Sequence, residues 1–139
     1  MLALPAAAED ARPLVERMVA QVTAAGADEV VVLEAPGAQH TSQRARLVNQ
    51  ALPALRTHWV CVLDPFTWLD YARVAPALQR STSVAIQLAG ALVKLDRAET
   101  ERFLRARTPP ERISERAVPA SLGKACYAVE REVLVALGG

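Results

Sequence analysis

From residue 9 to residue 25 the apolar side chains recur with helical spacing. Leu14, Val15, Met18, Val19 and Val22 share one stripe, and Glu9, Asp10, Arg12, Glu16 and Arg17 take the other positions. Early acidic residues suit the positive end of a helix, Pro13 is tolerated in its first turn, and Gly26 is a natural stop. The period then vanishes. "DEVVVLEA", residues 28–35, carries a continuous apolar run that predicts a strand covered on both faces. "TSQRARLVNQALPAL", 41–55, returns to helical spacing. Ala45, Val48, Ala51, Leu52 and Leu55 lie inside, Thr41 or Ser42 caps the start, and Pro53 ends or kinks the helix. "HWVCVLDPF", 58–66, is a second buried strand. Strand, helix and strand with short connections predict a βαβ unit and a parallel pair.

The second half fits two periods. In "STSVAIQLAGALVKLD", 81–96, Val84, Ile86 and Leu88 alternate as in a strand. Val84, Leu88, Ala91, Leu92 and Leu95 fit a helix, and the Ser81/Thr82/Ser83 cap signals with the trailing Lys94 favour it. Residues 97–107 extend that helix. Pro109, Pro110 and Pro119 mark a loop or linker. A last helix covers "SLGKACYAVEREVLVAL", with Leu122, Cys126, Val129, Val133 and Leu137 on its stripe. The expectation is one α/β domain over residues 1–139. It has an N-terminal helix (9–25), a βαβ core (28–66) and a helical C-terminal half (81–137). Its small, mostly parallel sheet is flanked by helices, with a helix at the C-terminus.

Composition changes this picture in two places. Apolar residues make up 52% of the chain, enough to exclude disorder, and aromatics only 4%, so the core is Leu, Val and Ala. The formal charge is +1, which leaves no global field to draw nucleic acid or an anionic membrane. Cys61 and Cys126 lie far apart in apolar contexts and read as buried free thiols rather than a disulfide framework. The start "MLALPAAAEDARP" lacks the basic region of a signal peptide, and no apolar run reaches a membrane span. The chain reads as soluble and cytoplasmic, or assembled into a particle made there.

Candidate chemistry is sparse. The turn at Pro36-Gly37 joins a strand to a helix, an arrangement that binds phosphate when more glycines and a lysine are present. Here only Gly37 is available, and a structural turn is the simpler reading. His40 and His58 lack the spacing that sets two imidazoles on one metal. Cys61, between Val60 and Val62, reads as inert. Asp64 ends the second strand, where α/β folds often hold ligands, but Asp64-Pro65 also stops a strand. No catalytic residue, cofactor or metal is expected, and the chain is not read as an enzyme. From Asp96 to Arg116 arginines and carboxylates are nearly balanced, as on an ion-paired surface. A subset of those arginines suits a protein interface, as do the aromatics near the second strand. The candidate interaction residues are Trp59, Trp68, Tyr71, Arg102, Arg105 and Arg107.

The order of short motifs resembles the central α/β domain of the sheath proteins of contractile phage tails and related injection machines. Ala35-Pro36-Gly37 resembles that family's first strand-ending turn, and Val62-Leu63-Asp64-Pro65 its second. Val74-Ala75-Pro76, Val84-Ala85 and Leu95-Asp96-Arg97 follow in the family's order, although residues 76–83 lack its Ser-Gly. The resemblance spans residues 28–97 and implies structural roles only, since sheaths have no active site. It implies a reduced or accessory subunit of a phage-tail-like particle, with other protein subunits, homo- or hetero-oligomeric, as partners. The competing expectation is a small α/β regulatory module that binds a nucleotide or other anion at the strand ends, near Pro36, Gly37, Asp64 and Pro65.

Overall fold

A computed structural model of the chain describes residues 2–5, 12–35, 41–63, 67, 69–106, 116–119 and 126–138. The elements run β1 (Leu2–Pro5), α1 (Arg12–Ala24), β2 (Val32–Ala35), α2 (Thr41–Ala51), a 3-10 turn (Leu52–Ala54), β3 (Trp59–Val62) and α3 (Tyr71–Arg80). They continue with β4 (Ala85–Gln87), β5 (Ala91–Leu92), α4 (Arg97–Ala106), β6 (Val118–Pro119), β7 (Tyr127–Glu130) and α5 (Arg131–Ala136).

β7 is the centre of the main sheet, ordered β3-β7-β4. It pairs antiparallel with β3, from Trp59↔Glu130 to Val62↔Tyr127, and antiparallel with β4, from Ala85↔Val129 to Gln87↔Tyr127. The ladder continues past the strands. Arg131 N–H donates to His58 O at 2.8 Å, Glu130 N–H to Val84 O at 2.9 Å, and Leu88 N–H to Cys126 O at 2.8 Å. Side chains alternate across the sheet. Val60 and Val62 on one face pack with Val48, Ala51, Leu52 and Leu55, joined by Leu134 of α5. Cys61, Leu63 and Cys126 on the other face meet Val15 and Met18 of α1 and Tyr71 of α3. β3, within the stretch 58–66, is therefore covered on both sides, as its apolar run predicts.

The mostly parallel sheet is corrected. The only parallel pair among the described residues is β1 with β2, from Leu2↔Val32 to Pro5↔Ala35. The main sheet and the small β5–β6 pair are antiparallel. β2 and β3, expected as neighbours, each pair elsewhere, although β1 also lies against β3. The physical reason is plain. A continuous apolar run reports burial on two faces, and an antiparallel sheet covered by helices buries its strands in the same way. Nothing in the run specifies which distant strand supplies the partner.

The helical reading of the C-terminal half is also corrected. Residues 81–96 contain β4 and β5 rather than a helix, and α4 stands alone. Ser81 and Ser83 bond each other: Ser83 N–H donates to Ser81 Oγ at 3.0 Å, and Ser81 Oγ donates to Ser83 O at 3.3 Å. The Ser81 hydroxyl closes a local turn instead of capping a helix. Within the expected last helix, Tyr127–Glu130 form strand β7, and among the described residues of that stretch only Arg131–Ala136 is helical. In β7, hydrogen bonds to two neighbouring strands outweigh the local helical pattern. By contrast α1, α2 with its 3-10 turn, and the strands within 28–35 and 58–66 lie where their periodicity predicts.

α1 ends as Gly26 predicts. Gly26 sits at φ 92°, where side chains are strained, and its N–H donates to Thr23 O at 3.0 Å. Ala27 N–H reaches Val22 O at 3.2 Å, which completes a Schellman motif. This tight exit fixes where the next residues, Ala27 to Glu29, emerge. Arg17, one side of the same helix, donates from Nη1 to Leu104 O at 2.9 Å and lies 5.1 Å from the Phe103 ring, so α1 and α4 are tied together.

Candidate functional site

Between α1 and α3, which cover the same face of the sheet, lies an open cleft of about 280 Å³. Its floor is Trp59, Cys61 and Leu63, its walls are Val22 and Ala25 on one side and Tyr71, Val74, Ala75 and Leu78 on the other. Asp28, Glu29, Thr57, His58 and Gln79 form the polar lining. The strand's alternation puts Trp59 and Cys61 on the cleft side. The Schellman turn at Gly26 delivers Asp28 and Glu29 to the mouth.

Among the described residues no lysine or arginine lines the cleft, so the fixed charge of its described lining is negative. Glu29 Oε2 accepts a hydrogen bond from Arg56 N–H at 3.0 Å. Asp28 is exposed and makes no ion pair or side-chain hydrogen bond among the described residues. His58 Nε2 stands 3.6 Å from Glu130 Oε1, and its ring meets Trp59 edge-on at 5.8 Å. Burial pushes the Cys61 thiol above its ordinary pKa, with the chain's N-terminal ammonium acting weakly the other way. At neutral pH that sulfur is a protonated thiol and a poor nucleophile. The arrangement suits holding an apolar, positively charged group rather than chemistry upon it.

Two of the candidate interaction residues come together here. Trp59 is half-buried in the floor, and Tyr71 is buried in the wall, with its hydroxyl donating to Thr67 O at 3.4 Å. Arg102 and Arg105 are exposed on α4, away from the lining. Arg105 stands 3.9 Å from Glu101. Trp68 and Arg107 lie outside the described residues, as do Pro36, Gly37, His40, Asp64 and Pro65, the strand-end positions considered for an anion. Cys61 forms no disulfide among the described residues, and Cys126 is buried. Sequence reasoning misses Asp28 and Glu29. Their only signal is their place directly after a helix-stopping glycine and before a strand. Among the described residues no group of three or more His, Cys, Asp or Glu is placed to hold a metal ion, and no helix is long and apolar enough to cross a membrane.

Fold and cleft together define a small α/β protein: a central antiparallel sheet with helices on both faces and a shallow acidic groove on one of them. No family model matches the chain, and neither does any curated protein or solved structure.

Proposed function

We propose that the chain is a structural protein–protein interaction subunit, a reduced or accessory sheath-like component of a phage-tail-like particle. The observation that carries this reading is a set of large apolar side chains held out in water on β4's approach and on α5. Val84 is 50% exposed and accepts through its carbonyl from Glu130 N–H, the residue that leads directly into α5. On α5 and just beyond it Val135 is 50% exposed and Leu137 79%. Exposed apolar side chains of this size suit a surface that another chain covers. The element boundaries add support. β2 ends at Ala35 and β3 at Val62, and β4 and α4 open at Ala85 and Arg97, so four motif pieces of the sheath resemblance touch element ends, whereas Val74-Ala75-Pro76 lies inside α3.

The test is affinity purification of the tagged chain from its native source, with mass spectrometry of what accompanies it. Tube, baseplate or capsid proteins in the eluate are the expected result. A bare monomer, free of particle proteins, would overturn the proposal.

A further inference from the structure

The acidic cleft and the arginine face of α4 are complementary surfaces carried by the same chain. The cleft presents Asp28, a carboxylate with no partner among the described residues, beside Glu29 and above an apolar floor that includes Trp59. On α4, Arg97, Arg102 and Arg105 all point to solvent together with Ala98 and Ala106. Arg97 and Arg105 share Glu101, at 3.2 Å and 3.9 Å. Arg102 makes no ion pair or side-chain hydrogen bond among the described residues, and Glu99, whose carboxyl feels its charge, is already held by Arg116. Among the described residues an acid in a groove and a guanidinium on a helix thus remain without an ion-pair partner.

We infer that the cleft of one copy receives Arg102 of a second copy, a head-to-tail contact that builds on the assembly reading above. At about 280 Å³ the cleft lies just below the usual range for small-molecule and cofactor pockets and takes one long side chain. Arginine matches it part by part. The aliphatic stem packs on Val22, Val74 and Leu78, and the guanidinium meets the Asp28 and Glu29 carboxylates and the Trp59 face. The two surfaces are different patches, so the contact is heterologous. Each added copy leaves a free cleft at one end and a free α4 at the other, which propagates a ring or filament. The contact is small and charged, so it is weak and sensitive to salt.

Sedimentation velocity of the purified chain, over a concentration series at low and high salt, tests this. The wild type should self-associate at low salt and dissociate as salt rises. Asp28→Arg and Arg102→Asp should each weaken association at least about tenfold, and the double reversal should regain most of it. Both positions are exposed, and circular dichroism confirms that each variant is folded. A wild type that stays monomeric, reversals without effect, or a double variant that fails to recover would each overturn the contact. If the chain is monomeric yet still captures particle proteins from its source, the head-to-tail contact fails and the assembly reading stands. If that capture is lost in Asp28→Arg, the groove serves another protein, and the second copy is excluded as its occupant.

Discussion

Leu52 and Leu137 show how differently one residue type is used in this chain. Leu52 is 2% exposed in the cluster beneath Val60 and Val62, while Leu137 is 79% exposed beyond α5. Truncating Leu52 removes buried methyl groups and leaves a cavity, so Leu52→Ala should cost about 2–5 kcal/mol in urea denaturation. Leu137→Ala should change stability by less than about 0.5 kcal/mol. If the two variants lose equal stability, Leu137 is packed and the apolar surface proposed on α5 does not exist. At this scale the sequence is legible where burial has a period. Val48, Ala51, Leu52 and Leu55 fall on the predicted inner stripe and are buried, although Ala45, assigned to the same stripe, is exposed. Trp59 and Tyr71, two of the three aromatics singled out in the sequence, both line the cleft. Asp28 and Glu29 carry no such mark, because a carboxylate in a loop looks the same whether it faces a groove or open water.

Among the elements, α4 shows how polar side chains set a boundary. Glu99 N–H donates to Asp96 Oδ1 at 2.8 Å, and Asp96 N–H donates to Glu99 Oε2 at 3.0 Å, a reciprocal capping box. Arg116 grips the same Glu99 carboxylate and also donates to Lys94 O at 2.8 Å, which ties the approach to β6 to the start of the helix. The Arg116 guanidinium, and then the Asp96 N–H, hold the Glu99 carboxyl below its ordinary pKa. The folded chain therefore binds this proton less readily than the unfolded chain. The resulting stability is present above the unfolded value, about 4.3, and is lost as pH falls through the lower folded value. Urea midpoints measured against pH should fall less steeply below roughly pH 5 in Glu99→Gln than in the wild type, with parallel curves near neutrality. Identical acid slopes would contradict the role given to this carboxylate.

Two helices, α1 and α2, were legible at this scale because their signal is local, whereas α3 was not predicted. α1 and α2 each carry several turns of one stripe. β4 and β7 span three and four residues inside segments whose Ala, Val and Leu satisfy a helical period equally well. Their strand identity comes from each other and from β3, across more than forty positions of sequence, and no local pattern contains that information. The parallel expectation fails for the same reason. It takes β2 and β3 as partners because they are consecutive, whereas the central strand arrives only near residue 127.

For the whole molecule, near-neutral charge conceals an uneven surface. A formal charge of +1 follows from composition, but the separation of an acidic groove from an arginine-bearing helix follows only from the fold. The sheath resemblance predicts surfaces instead of a reactive centre. The described site, with its protonated thiol and open groove, supports a binding role. We propose that this chain works as part of a larger assembly. The most direct test is the sedimentation of the tagged chain, at native abundance, in a gentle extract of its own cells. The account predicts that it travels with material many times heavier than its own 15.0 kDa, and that it does so together with other particle subunits. A single slow boundary at the monomer's mass, at every growth stage sampled, would contradict it.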